Sequence, residues 1–154
     1  MEADAANIYL HMAEEVSVRS TCSVRHVGAI IVRDEATLCT GWNGVLRLDA
    51  SNCIEVGCPR CSATKRPSGT EYDTCICMHA EQSAICIAAK EGVSLVGSTL
   101  YCTLRPCLQC VSSALCAGVT RVVYAEEWMY EDPTLENLHL LLRSRFVEFR
   151  CKDV

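Results

Sequence analysis

No apolar run in the 154 residues approaches the roughly 18 to 20 that a membrane-spanning helix requires, so no spanning segment is expected. Basic charge is scarce as well. Lys and Arg total 14 against 19 Asp and Glu, a net charge of −5 with no basic block, which argues against steering along a phosphate backbone. Aromatic residues make up only 6%, few for the stacking platform of a single-stranded nucleic-acid binder. Met1 to Arg19 opens with acids and lacks the basic, then apolar, then small-residue order of a secretory leader. The expectation is a soluble cytoplasmic protein with no membrane and no nucleic-acid partner.

What the chain does have is cysteine: 13, an odd number, with no leader to direct them to an oxidising compartment. Reduced thiols, some of them bound to metal, fit better than a disulfide framework. Half the residues are apolar, and 154 residues suffice for one core, so residues 1–154 read as a single domain without repeats, linkers or low-complexity segments.

The pattern predicts an amphipathic first helix up to Val18, then two β-branched strands, Val27 to Arg33 and Thr37 to Trp42, joined by Asp34-Glu35. Leu48 to Asp73, with Gly57, Pro59, Pro67 and Gly69, reads as an irregular loop, long enough to need a function or a metal to fold around. A regular alternation follows: helix Met78 to Lys90, strand Ser98 to Thr103, helix Pro106 to Cys116, strand Arg121 to Ala125, a helix from Thr134, and an edge strand Phe146 to Arg150. The expected class is α/β, one mixed sheet with helices on its faces.

Two short elements carry chemistry. Pro106-Cys-x-x-Cys110 at a helix N-terminus directs two sulfurs to one point, where the helix dipole favours thiolates. His79, on the first turn of a neighbouring helix, supplies a nitrogen. Three protein ligands leave a tetrahedral zinc one open position, the arrangement of a catalytic metal. Glu81, two residues from His79, lies where a general base and acid is needed beside that position. A lone CxxC is equally a redox motif or a structural zinc knuckle, but neither explains His79 and Glu81. Together the elements match the H-x-E…P-C-x-x-C signature of zinc nucleobase deaminases.

From about Arg19 to Asp132 the sequence resembles the deoxycytidylate (dCMP) deaminases and their late-competence relatives. The resemblance rests on Ser20-Thr-Cys22, Val27 to Val32, Gly41-Trp-Asn43-Gly44, Asn52-Cys53, Gly57-Cys58, Cys75, His79-Ala-Glu-Gln82, Thr99-Leu-Tyr101, Pro106-Cys-x-x-Cys110, Ala117-Gly-Val119 and Arg121 to Tyr124. It implies a cytidine-deaminase-like fold with a five-stranded sheet and a Cys-rich zinc-binding insert, zinc-dependent conversion of dCMP to dUMP plus ammonia, and a homo-oligomer, often a hexamer. It implies a second, structural zinc on Cys22, Cys53, Cys58 and Cys75, and a sugar-hydroxyl contact from Asn43. Spacing alone selects Cys58-x-x-Cys61 with Cys75-x-Cys77, so Cys61, Cys77 and also His26 remain rivals. Asn43-Gly44 reads equally as a turn.

The chain departs from the family pattern at Val45 to Leu48, where a Pro and a Gly are usual; that loop shapes the nucleotide and dCTP pockets, so regulation by dCTP is open. It departs again at Val24, followed by Arg25 and His26, and at Ser83, where the family has Asn. Arg25 and Arg105 are candidate phosphate or base contacts; for Arg105 the plain alternative is a solvated loop charge. These changes keep the cytosine chemistry and leave open which nucleotide is used: dCMP, CMP, dCTP or a 5-substituted dCMP. An editor of single-stranded nucleic acid and a zinc-scaffolded interaction module are the other readings, and the second gives Glu81 no purpose. His11 and His139 read as surface or capping residues and Cys39, Cys86, Cys102 and Cys116 as small hydrophobes; by the resemblance, Glu126 to Asp132 corresponds to a loop that walls the pocket in relatives, and the sequence assigns it no role.

Overall fold

The computed structural model describes residues 2–45 and 49–152. The departure at Leu46, Arg47 and Leu48 lies outside the described residues. Five strands form one sheet in the order β2-β1-β3-β4-β5, with β1 (Gly28–Arg33), β2 (Ala36–Trp42), β3 (Thr99–Leu104), β4 (Arg121–Glu126) and β5 (Glu148–Cys151). β1 runs antiparallel to β2 and β3, whereas β3, β4 and β5 are parallel. A tight turn suffices for the first pairing, and Asp34 and Glu35 make it with φ of 52° and 62°. The parallel pairs need helical crossovers, which α4 (Leu108–Cys116) and α5 (Pro133–Arg143) provide.

Side chains alternate between the faces with the strand period of two. Ile30, Val32 and Val123 point to α1 (Glu2–Ser17), meeting Ala6, Leu10 and Ala13. Ala29, Ile31, Leu100, Cys102, Val122 and Tyr124 point the other way and build the main core with α3 (Ala80–Glu91) and α4. The mixed sheet with helices on both faces is therefore observed. Cys39 and Cys102 are core residues, but Cys86 and Cys116 are exposed, a correction to their reading as packed hydrophobes.

Boundaries shift for local reasons. α3 starts at Ala80 and not at Met78, because the Met78 backbone is taken by Gly44: its N–H donates to the Gly44 carbonyl at 3.0 Å and its carbonyl accepts from Gly44 N–H at 3.1 Å. Asn43-Gly44 thus ties β2 to the start of α3; it does not turn a hairpin. β5 starts at Glu148, since Phe146 N–H still turns back on the Arg143 carbonyl at 3.2 Å. The long irregular segment contains one short helix, α2 (Pro59–Ser62), and a 3-10 turn, Tyr72–Thr74.

Gly41 sets where α3 sits. A Cβ there would lie 2.2 Å from the Ala80 carbonyl oxygen and 2.5 Å from Ala84 N, so the first turn of α3 rests on bare β2 backbone. Gly41→Ala is expected to push that turn outward with His79 and Glu81 on it. Overpacking of this kind costs about 1–3 kcal/mol. A lowered thermal midpoint together with weaker zinc retention checks this; a fall in midpoint with metal affinity unchanged would separate Gly41 from the site.

Candidate functional site

His79 is the N-cap residue of α3 and Cys107 that of α4, with Cys110 one turn into α4. β2 and β3 are both antiparallel to β1 and so run in the same direction, which puts the starts of α3 and α4, the helices that follow them, at one edge of the sheet. The His79 Nδ1 lies 3.3 Å from the Cys107 sulfur and 3.4 Å from the Cys110 sulfur. Tetrahedral zinc with ordinary bond lengths would separate such a nitrogen and sulfur by about 3.6 Å. The donor set, one imidazole and two thiols all within 4.8 Å of one another, therefore fits zinc. The Cys107 thiol is pulled down to about 4 by its hydrogen bond with Cys110, against burial and with help from His79. A thiolate is the form a metal requires.

Glu81 is 4% exposed, and its Oε2 stands 3.5 Å from the Cys110 sulfur. Burial pushes its carboxyl up, with His79 pulling the other way. The cleft above the site is lined by Arg25, Asn43, Arg60, Arg66, Glu81 and Trp128, among others. Arg60 and Arg66 were not legible as cleft residues from the sequence, since they belong to the irregular segment.

Asn43 is buried. Its Oδ1 accepts from Ser20 Oγ at 2.7 Å and Val27 N–H at 2.8 Å, and its Nδ2 donates to the Arg25 carbonyl at 2.7 Å. It fastens the loop that carries Arg25, whose exposed guanidinium donates to Ser68 Oγ at 3.3 Å. Trp42, half-buried, lies under the Arg19 guanidinium at 3.8 Å and is not among the cleft residues.

Arg105 requires correction. Its side chain is 1% exposed and its guanidinium is neither a solvated charge nor free for a phosphate. Nη2 donates to Glu136 at 2.7 Å, Nη1 to the same carboxylate at 3.2 Å and to the Trp128 carbonyl, and Nε faces Glu127 at 3.3 Å. His139, expected at the surface, is fully buried in this network. Its Nδ1 is 2.7 Å from Arg105 Nη2, and Nε2 is 2.9 Å from the Pro106 carbonyl. Arginine only donates, so Nδ1 accepts and Nε2–H donates to Pro106: one neutral tautomer is dictated. The expected wall segment contributes too: Trp128 Nε1 donates to the Arg105 carbonyl at 2.7 Å, and the Tyr130 hydroxyl accepts from Leu108 N–H at 2.7 Å. These contacts fix the strand-to-helix turn that presents Cys107.

A pH dependence follows. Burial holds the His139 imidazole below its ordinary 6.5, with Arg105 opposing its charge. The unfolded chain therefore binds a proton that the folded chain refuses, and stability falls as pH drops below about 6.5. His139→Gln is expected to lower the midpoint at pH 7.5 and to flatten its decline from pH 7 to 5.5, read by thermal melts. A decline as steep as the wild type's would remove His139 as the cause.

The cysteines of the insert fall differently from the resemblance. Cys22 and Cys53 group with Cys61 and Cys77, while Cys58 and Cys75 group with the same Cys61 and Cys77. Cys22, Cys53, Cys58 and Cys75 are thus not gathered into one four-ligand site, and the two rivals stand at the centre. His26 is exposed and lies outside both groups.

Residues 4–126 match the family model for the cytidine and deoxycytidylate deaminase zinc-binding region. The chain is 37% identical to the deoxycytidylate deaminase of Schizosaccharomyces pombe over 92% of its own length and 42% of that protein. It is 34% identical to the deoxycytidylate deaminase of Mycobacterium phage D29, covering 77% of this chain and 92% of the other. It spans about two fifths of the length of the two yeast relatives, at 42% and 40%. Among solved structures, the dCMP deaminase of cyanophage S-TIM5 superimposes with a TM-score of 0.73 at 29% identity, over 98% of this chain and 99% of that one. A second structure of the phage enzyme holds dCMP and dUMP. Fold, His-x-Glu and Pro-Cys-x-x-Cys elements and the matched span agree: the chain belongs to the cytidine and deoxycytidylate deaminase family.

Proposed function

We propose that the chain catalyses hydrolytic deamination of dCMP to dUMP and ammonia, with zinc held by His79, Cys107 and Cys110 and with Glu81 moving the protons. The observation that carries the reading is the Glu81 carboxylate, buried within 3.5 Å of a ligand sulfur. Burying a carboxylate there costs stability, so the group is explained by chemistry and not by folding. When bound, zinc supplies Lewis acidity that makes water nucleophilic near neutral pH. Glu81 accepts the proton of the water whose oxygen adds at C4 and passes it to ring N3, which takes the electron pair of the C4=N3 bond; it then carries the proton of the new C4 hydroxyl to the exocyclic nitrogen, which leaves as ammonia as the C4 carbonyl forms. A carboxyl held above its ordinary range suits both the acceptance and the return.

The nucleotide is held by the loops around the cleft. Asn43, with both of its Oδ1 bonds taken by the protein, offers its remaining Nδ2–H to a sugar hydroxyl. Arg25, exposed at the cleft and, among the described residues, hydrogen-bonded through its side chain only to Ser68, is the phosphate contact, with Arg60 and Arg66 adding positive charge. The substrate of the cyanophage relative supports dCMP over other cytosine nucleotides. One catalytic zinc and structural zinc on the cysteine insert belong to this reading. So do a cytoplasmic location and homo-oligomeric assembly up to a hexamer, the assembly read by light scattering.

Zinc-loaded protein offered deoxycytidine, CMP, dCMP, dCTP, 5-methyl-dCMP and a cytosine oligonucleotide tests the substrate. dCMP is expected to give the highest kcat/KM, and Arg25→Ala to raise KM for dCMP while sparing deoxycytidine. Preference for deoxycytidine or for the oligonucleotide would overturn the nucleotide reading.

A further inference from the structure

Six thiols, not four, converge beside the cleft. The sulfurs of Cys22, Cys53, Cys61 and Cys77 all lie within 4.8 Å of one another, and so do those of Cys58, Cys61, Cys75 and Cys77. Tetrahedral zinc with four thiolates has sulfur–sulfur edges of about 3.8 Å, whereas a disulfide closes to about 2.05 Å. The separations are 3.9 Å for Cys22–Cys61, 3.8 Å for Cys58–Cys75 and 4.0 Å for Cys61–Cys75, and all six thiols are free.

Each quartet is a complete zinc site, and the two share one edge. An ion on either quartet would leave two thiols at ligand spacing from its own sulfurs. A thiolate has lone pairs for two metals. Two zinc ions on six thiolates carry a net −2, the same as one zinc on four, so the second ion adds no unbalanced charge. The Ser23 backbone N–H donates to the Cys53 sulfur at 3.2 Å, and Cys53 is not one of the shared residues. The segment also needs a cross-link: residues 49–78 hold one four-residue helix and one 3-10 turn, and among the described residues the buried cluster around the thiols contains only Val45 besides cysteine, with Ala50 at its edge.

We propose that these six cysteines hold a binuclear zinc–thiolate cluster, with Cys61 and Cys77 bridging the two ions and Cys22, Cys53, Cys58 and Cys75 as terminal ligands. The arrangement reconciles the two readings of the sequence, since the four cysteines of the resemblance are the terminal ligands and the two spacing rivals are the bridges. Its ligands come from the loop that carries Arg25, from α2 with Arg60, and from the strand of chain that enters His79 two residues after Cys77. The cluster therefore clamps three walls of the cleft to one another, whatever nucleotide the cleft accepts.

Native mass spectrometry of the zinc-saturated full chain is expected to count three zinc ions. Cys110→Ser, which removes the site of His79, and Cys58→Ser, which opens one quartet, are each expected to count two. Zinc X-ray absorption on Cys110→Ser should show an all-sulfur shell and a zinc neighbour; the same neighbour is visible in the wild type if the variant does not fold. Two ions in the saturated wild type, or a third without a zinc neighbour, would overturn the cluster in favour of a single structural ion.

Discussion

Glu81→Gln is expected to lower kcat on dCMP by about 10⁴-fold, the top of the range for one general acid–base residue, because a single carboxylate serves both proton transfers. The amide keeps the volume of the side chain and cannot take a proton from water. Zinc content is expected to stay at the wild-type value, since the proposed ligands are His79, Cys107 and Cys110 and Glu81 only stands beside them, 3.5 Å from Cys110. The thermal midpoint is expected to be no lower than that of the wild type. The folded chain encloses a carboxylate whose charged form burial disfavours, and Gln removes that cost. Activity and stability thus move apart, as they do where a residue is kept for function. If activity and zinc fell together, Glu81 would be a structural residue. If neither moved, the proton would travel by another group.

Arg105→Met carries the largest expected effect on stability. The guanidinium holds the Glu136 carboxylate through two hydrogen bonds, 2.7 and 3.2 Å, in a setting where Arg105 is 1% exposed. Burial alone would raise the Glu136 carboxyl, but the Arg105 bonds and the Tyr130 N–H hold it below its ordinary value. Removing the cation leaves Glu136 buried and uncompensated and deprives His139 Nδ1 of its donor. Breaking such a buried pair costs about 3–5 kcal/mol. Arg105→Lys is expected to recover little, because a single ammonium cannot face Glu136, His139 and the Trp128 carbonyl from a flat fork. The double variant Arg105→Met/Glu136→Leu should recover much of the loss, since no orphan charge remains. Chemical denaturation of the three variants checks the series. A cost for Arg105→Met below about 1 kcal/mol would place this pair with ordinary surface ion pairs. In that case the internal network would not be what holds the Pro106 turn.

The parts of the molecule legible in the sequence are those whose signal is local. Val27 to Arg33 shows its strand in a run of branched residues. His79, Glu81, Cys107 and Cys110 announce themselves because zinc chemistry fixes their spacing, each set within four residues. Arg105, Glu136 and His139 gave no such signal. Their contacts close over 31 and 34 residues, and nothing in the helical pattern of α5 marks His139 as the face that must meet an arginine. The insert cysteines failed in the same way. Cys22 meets Cys61 across 39 residues, so local spacing shows a set of four where six converge. Gly41 lies between: its place in Gly-Trp-Asn-Gly is visible, but that it admits the Ala80 carbonyl appears only once α3 is packed on β2.

The proposed reading is that the His79–Cys107–Cys110 site and the buried glutamate beside it hydrolyse the amino group of dCMP. Its most direct test follows dCMP, dUMP and ammonia together, by chromatography and an ammonia assay, with zinc-loaded wild type and Glu81→Gln at matched zinc content. One dUMP and one ammonia per dCMP with the wild type, and neither above background with the variant, is the predicted result. No dUMP from fully metallated wild type, or equal dUMP from both proteins, would contradict it.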